Sequence, residues 1–340
     1  MKYVFTDAQC RHDPFHFLSS GAQQNNPEVP ERANRLIAGA EAAGLERVQT
    51  RDAGLAPIAA IHTPEYIRFL REIHARWQRI PDASPEVVPN IHPNRRDFSY
   101  PASAVGQAGY HQADTACPIG EHTWESVYWS AQSAVHAADL VLEGAPAAYA
   151  LCRPPGHHAF ADLAGGFCFL NNSSIAAKRL GSRHERVAII DIDLHHGNGT
   201  QDIFYTRNDV LTISLHADPV RFYPFFWGHA SERGDGPGLG YNLNLPLQRG
   251  SGDELFLEAL DAAIGRVRAF APEALVIALG LDAFEGDPFG GLTVTTPGYS
   301  RIGAALGALD LPTAIIQEGG YVCDGLGDNL VSFLDGFTNR

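Results

Sequence analysis

The chain has no Cys-x-x-Cys pair, and its five cysteines, Cys10, Cys117, Cys152, Cys168 and Cys323, are odd in number. This leaves no basis for a thiolate zinc site or a disulfide framework, and it makes a reducing, cytoplasmic setting the expectation. No run of about 18 apolar residues occurs, and the opening MKYVFTDAQ lacks a long apolar core, so neither a membrane span nor export is expected. Basic residues are scarce, 25 against 39 acidic ones, for a formal charge of −14. That balance argues against a nucleic-acid surface and favours cationic ligands through long-range attraction. Repeats, low-complexity tracts and linkers are also missing, so the 340 residues, 45% of them hydrophobic, are read as one globular domain.

Short apolar runs are present at regular intervals: YVF at 3–5, AAYALC at 147–152, VAIIDID at 187–193, VLTISL at 210–215, ALVIALGL at 274–281 and TAIIQ at 313–317. Helical stretches alternate with them, from residues 30, 124 and 252, and Gly144 marks one helix end. The alternation predicts an α/β fold, a mostly parallel sheet flanked by helices. Two segments break the rhythm. Residues 80–105 are rich in proline and polar residues and read as a loop insertion, and 217–240 form a second long loop.

Catalytic side chains of open parallel sheets gather beyond the carboxyl ends of strands. Here four such ends carry chemistry: His157 and His158 in RPPGHHAF, Asp191 to His196 after VAII, Asp282 after VIALGL, and Glu318-Gly-Gly-Tyr321 after TAIIQ. Asp193 and His195 lie two apart in an extended segment, so they point to one side and can grip one metal ion, with Asp282 as third ligand. Two carboxylates, one imidazole and an open position suit zinc or ferrous iron acting as a Lewis acid. Any one of these residues alone is equally well explained as a strand-end cap, and a lone His-His pair as packing. Their convergence favours chemistry. One imidazole can take a proton from water while Asp191 orients the other, and Tyr321 can donate to an oxyanion behind the compact Gly319-Gly320.

The five stretches RPPGHHA, GGFCFLNN, DIDLHHGNGT, LGLDAFEGDP and EGGY resemble the zinc-dependent histone deacetylase superfamily of arginase-like fold, specifically its bacterial acetylpolyamine amidohydrolase branch, across residues 27–338. The resemblance implies zinc held by Asp193, His195 and Asp282. It matches His157 and His158 to tandem active-site histidines, the second as proton shuttle, Asp191 to the partner of His157, and Tyr321 to the carbonyl-polarising tyrosine. Asn198 takes the place of an aspartate paired with the second histidine in many eukaryotic relatives, which makes an imidazolium at His158 less stable. Phe167, beside Gly166, and Tyr223 match the walls of an acyl tunnel, with Phe289 at its rim and Gly320 near the ligand. Arg32 matches an arginine near an acetate-release cavity. Asp191, Asp193, His195, Ser214 and Leu215 resemble a structural potassium site. One departure concerns the rim: Val105 stands where polyamine-specific relatives carry a glutamate, so ammonium recognition falls to Asp82, Glu86, Asp97 or a partner chain.

These features together imply a zinc-dependent amidohydrolase that removes acetyl or a short acyl group from an acetylated polyamine or diamine. A protein acetyl-lysine deacetylase, or a hydrolase of another small amide, is the alternative. An arginase-type ureohydrolase needs ligands for two manganese ions, and DIDLHHG supplies one set. A non-catalytic acyl-lysine binding module has no use for a proton shuttle. The proline-rich insertion is expected to pack against a second subunit in a two-fold homodimer and narrow the tunnel mouth.

Overall fold

The computed structural model describes residues 1–96 and 99–339. Its strands are β1 (Lys2–Phe5), β2 (His16–Ser19), β3 (Ala22–Asn25), β4 (Glu46–Gln49), β5 (Ala147–Ala150), β6 (Val187–Asp191), β7 (Val210–Ala217), β8 (Asn242–Leu247), β9 (Ala274–Leu279) and β10 (Thr313–Gln317). The helices are α1 (Glu31–Ala42), α2 (Ala56–Ala59), α3 (Pro64–Trp77), α4 (Ala104–His111), α5 (Thr123–Leu142), α6 (Asn172–Leu180), α7 (Asn198–Phe204), α8 (Asp253–Phe270), α9 (Thr296–Gly307) and α10 (Leu326–Thr338). Eight strands form one sheet in the order β4-β1-β5-β10-β9-β6-β7-β8, every pair parallel.

Each central strand feeds two cores. Tyr149, Ile190, Ile213, Ile277 and Ile315 point to the side covered by α1, α8, α9 and α10. Their neighbours Ala150, Ile189, Val276 and Ile316 point to the other, against α3, α5 and α6. Burial on both faces produces the unbroken apolar runs of the sequence. The strand pattern did not reveal β4 (ERVQ) and β8 (NLNLPL), because these edge strands keep exposed or half-exposed positions. Nor did it reveal the hairpin β2–β3, whose two-residue turn, Ser20-Gly21, has φ of 50° and 79°. Positive φ at both positions is the geometry of the tightest hairpin turn.

The expected insertion lies between α3 and α4; no helix or strand interrupts its described residues from 78 to 103, while 104 and 105 already belong to α4. It is fastened to the body by Arg96, which forks onto Asp162 with two 2.9 Å bonds and covers the Tyr110 ring at 4.5 Å. Val105 packs half-buried against the core from the first turn of α4. The 217–240 loop contains only short turns, at Pro219–Arg221 and Gly236–Gly238. No described helix is long and apolar enough to cross a membrane.

Candidate active site

The chain runs β5, β6, β9, β10, but these strands lie in the sheet as β5, β10, β9, β6. Their carboxyl ends are therefore adjacent, and the four motif-bearing loops share one crevice. Asp193, His195 and Asp282 meet there, all buried. His195 turns Nδ1 toward Asp193 Oδ1 at 3.3 Å and Asp282 Oδ2 at 3.2 Å. The carboxylates are themselves aimed by backbone amides: His195 N and Gly319 N donate to Asp193, and Leu194 N donates to Asp282. The packing requires two glycines. A Cβ on Gly319 would lie 2.3 Å from Asp282 Oδ2, and one on Gly280 the same distance from Asp193 Oδ2.

Burial alone would lower the pKa of His195, yet the hydrogen bonds to Asp193 and Asp282 raise it to about 9. Burial also penalises Asp193, which His157 and His195 nevertheless hold ionised, while burial and the Asp193 charge push Asp282 up. Two buried carboxylates that converge on one imidazole nitrogen call for a cation to replace that proton. The donor set, two oxygens and one nitrogen, suits a divalent first-row metal.

The tandem histidines flank this cluster with their rings 4.0 Å apart. His157 Nδ1 donates to Asp191 Oδ2 at 2.9 Å, and its Nε2 stands 3.8 Å from Asp193. Burial opposes its charge, but Asp193 and Asp191 raise its pKa to about 10. His158 differs. Its Nδ1 meets Asn198 Oδ1 at 2.7 Å, and burial, reinforced by His157 and His195, takes it well below the ordinary imidazole range. An amide oxygen accepts from N–H, so Asn198 fixes the tautomer that leaves His158 Nε2 as a base.

Aromatic rings enclose the approach. Tyr321 lies 5.8 Å from Phe167 and 4.6 Å from Phe289, and Phe289 stands edge-on to His195. Tyr223 stands perpendicular to His158 at 5.0 Å. Gly166 has φ +53°, and a Cβ there would come 2.5 Å from the His158 ring and 2.8 Å from the Tyr223 hydroxyl. Gly320, at φ +106°, would meet Leu281 at 2.8 Å. Arg32 donates to the carbonyls of Gly320 and Glu318 and covers the Tyr321 ring at 4.8 Å. Burial keeps the Tyr321 phenol protonated far above neutrality. Ser214 pairs with Asp191 across β6–β7, and Leu215 is buried beside it.

The structure also supplies partners that the sequence reasoning missed. Glu318 accepts from Gly156 N, His157 N and Ser173 Oγ at 2.6, 3.0 and 2.6 Å, joining the β10 end to the histidine loop. Asp114 accepts from Tyr223 Oη and Gly166 N, Asp287 from Tyr321 N, and Phe222 stacks on His195 at 5.2 Å. Asp287 and Glu318 lie within the quoted motifs, a signal that attention to their carboxylates could have used. Asp114, in ADTACP, has no such signal. Of the proposed rim acids, Asp82 is exposed, Glu86 is half-buried, and Asp97 lies outside the described residues.

The histone deacetylase domain profile matches residues 26–337. The acetylpolyamine amidohydrolase of Burkholderia pseudomallei is 51% identical, over 99% of this chain and 98% of that protein. Acetylpolyamine amidohydrolase 1 of Pseudomonas aeruginosa is 43% identical, over 99% of each. A crystal structure of an acetylpolyamine aminohydrolase from Burkholderia pseudomallei superposes with a TM-score of 0.97 at 50% identity, covering 99% of this chain and 98% of that one. With a domain match of this extent and relatives of this identity along the whole length, the chain belongs to the histone deacetylase family.

Proposed function

We propose that the chain is a zinc-dependent amidohydrolase that removes acetyl from acetylated polyamines or diamines, in a reducing cytoplasm. The observation that carries the reading is the Asp193–His195–Asp282 cluster set against a protonated phenol, Tyr321, and a neutral histidine, His158. Zinc held by those three residues, with ferrous iron as the other ion they suit, would polarise the acetamide carbonyl and acidify water. Tyr321 donates a hydrogen bond from its phenol O–H to that oxygen as negative charge develops there. His158 accepts a proton from the attacking water at Nε2, because Asn198 occupies Nδ1. The C–N bond then breaks, and the same proton passes to the departing amine nitrogen. His157, tied to Asp191 through Nδ1, is held with Nε2 facing Asp193 at the edge of the metal cluster, where it orients the reacting groups. Phe167, Gly166, Tyr223 and Phe289 exclude water from a slender stem.

A structural potassium ion is proposed beside the same loop, at Asp191, Asp193, His195, Ser214 and Leu215; the Asp191–Ser214 register supports it. A two-fold homodimer is proposed as well, supported by the exposed Ile91 and Tyr100 on the insertion. Hydrolysis of acetylputrescine, acetylspermidine and an acetyl-lysine peptide, measured side by side, tests the substrate. The small amines should be cleaved faster, and preference for the peptide would make this a protein deacetylase.

A further inference from the structure

The loop after β10 is tied down by hydrogen bonds as far as Tyr321 and reaches the surface one residue later. Glu318 N donates to Leu279 O at 2.8 Å and Gly319 N to Asp193 Oδ2 at 2.7 Å, while the Gly319 carbonyl accepts from Gln317 Nε2 at 2.7 Å. The peptide between Gly320 and Tyr321 is then held at both edges. Its carbonyl accepts from Arg32 Nε at 2.6 Å, and its N–H donates to Asp287 Oδ2 at 2.9 Å. Val322 follows, 36% exposed. Asp287 therefore holds the chain at the point where it leaves the site.

The tie matters because of the residue before it. Gly320, at φ +106°, has no side chain to resist rotation about its backbone, and turning the peptide that follows would swing the Tyr321 phenol through an arc. A carbonyl can pivot on the one bond from Arg32; a second bond at the opposite edge of the planar peptide fixes it. Asp287 also reaches further. Its other oxygen, Oδ1, accepts from Phe289 N at 2.9 Å, so one buried carboxylate bridges the backbones of Tyr321 and Phe289, whose rings lie 4.6 Å apart. Both oxygens are engaged by backbone, and the effect on the phenol is one of placement.

We propose that Asp287 is a positioning residue for the hydrolysis: by pinning the Gly320–Tyr321 peptide opposite Arg32 and bridging it to Phe289, it sets the Tyr321 O–H where the substrate's carbonyl oxygen develops charge. This rests on the amidohydrolase reading and adds to it the group that aims its oxyanion donor.

Asp287→Asn keeps the shape and one acceptor. An asparagine oxygen favours the local turn to the N–H two residues on, so Phe289 keeps its bond and Tyr321 N–H loses its partner. In zinc-loaded protein, kcat for acetylputrescine should fall on the order of 10²-fold, the scale of a misplacement of ~1 Å. KM and metal content should stay unchanged. The decisive arm is a cycle with Tyr321→Phe. Acting through the phenol, Asp287→Asn should make the double variant no slower than Tyr321→Phe alone; losses that multiply would mean a merely structural part and overturn the proposal. Amide hydrogen exchange reads the tie without turnover: in the wild type, Tyr321 N–H should be protected at least ~100-fold more than that of Val322. In Asp287→Asn the difference should vanish. Equal protection of the two amides in the wild type would overturn the proposal even if Asp287→Asn fails to fold. If the wild type hydrolyses no acetylated amine but shows the protected Tyr321 N–H, the reaction assignment fails and the tie stands.

Discussion

Tyr321 and His62 sit in the same domain with opposite demands on their protons. On the proposed mechanism Tyr321→Phe removes one donor to the developing oxyanion and nothing that holds the loop, since Asp287 grips the backbone N–H. Turnover should fall on the order of 10²–10³-fold, with metal content by elemental analysis unchanged. His62 works for the fold. Its Nε2 accepts from Asn171 N at 2.9 Å and its Nδ1 faces the Ala161 carbonyl, so it must remain neutral, and burial lowers its pKa to about 4. Above pH ~6.5 both folded and unfolded states leave it neutral. As pH falls from there toward 4, the unfolded chain takes a proton that the folded one refuses, costing about 3 kcal/mol in all. Urea denaturation at pH 7 and 4.5 should show this loss, and His62→Gln should reduce it. The convergence of Asp193, His195 and Asp282 and the tandem histidines were legible in the sequence because each follows an apolar strand. Asp114 was not, because its task depends on Gly166 and Tyr223, 52 and 109 residues away.

The strand-end loops act as a set because Glu318 ties two of them together. Its carboxylate bonds the histidine loop while its own carbonyl accepts from Arg32. Glu318→Ala would leave the buried N–H groups of Gly156 and His157 without partners, at about 1–3 kcal/mol each. The denaturation midpoint should drop, and kcat should fall with it as His157 and His158 lose their seat. A variant with unchanged stability would show that the clamp is dispensable. Central elements were readable from sequence since β5, β6, β9 and β10 are buried on both faces. At the margins the physics differs: β4 and β8 pair on one side only, and the β2–β3 hairpin buries almost nothing, so no apolar run announced them, although the alternation of NLNLPL in β8 was a signal that went unused.

At the scale of the molecule, the buried Asp193–Asp282 pair would make stability depend on the proposed cation. Chelation should lower the melting temperature, and zinc should restore it. At a free concentration 1,000 times the dissociation constant, one site binding only the folded state adds about 4 kcal/mol. Equal melting curves with and without chelator, in protein shown by elemental analysis to be stripped, would count against the site. Sedimentation would decide the proposed homodimer. The sheet order has a further effect, on the birth of the chain. The strand β10, second to last of the regular elements, lies between β5 and β9 near the middle of the sheet. A ribosome must therefore emit residues through Gln317 before the gap in the sheet can close, and until then β5 and β9 expose unpaired edges. Such edges are templates for mispairing. Nascent chains of this protein should accordingly hold chaperones until Gln317 has emerged, and gain catalytic competence only afterwards.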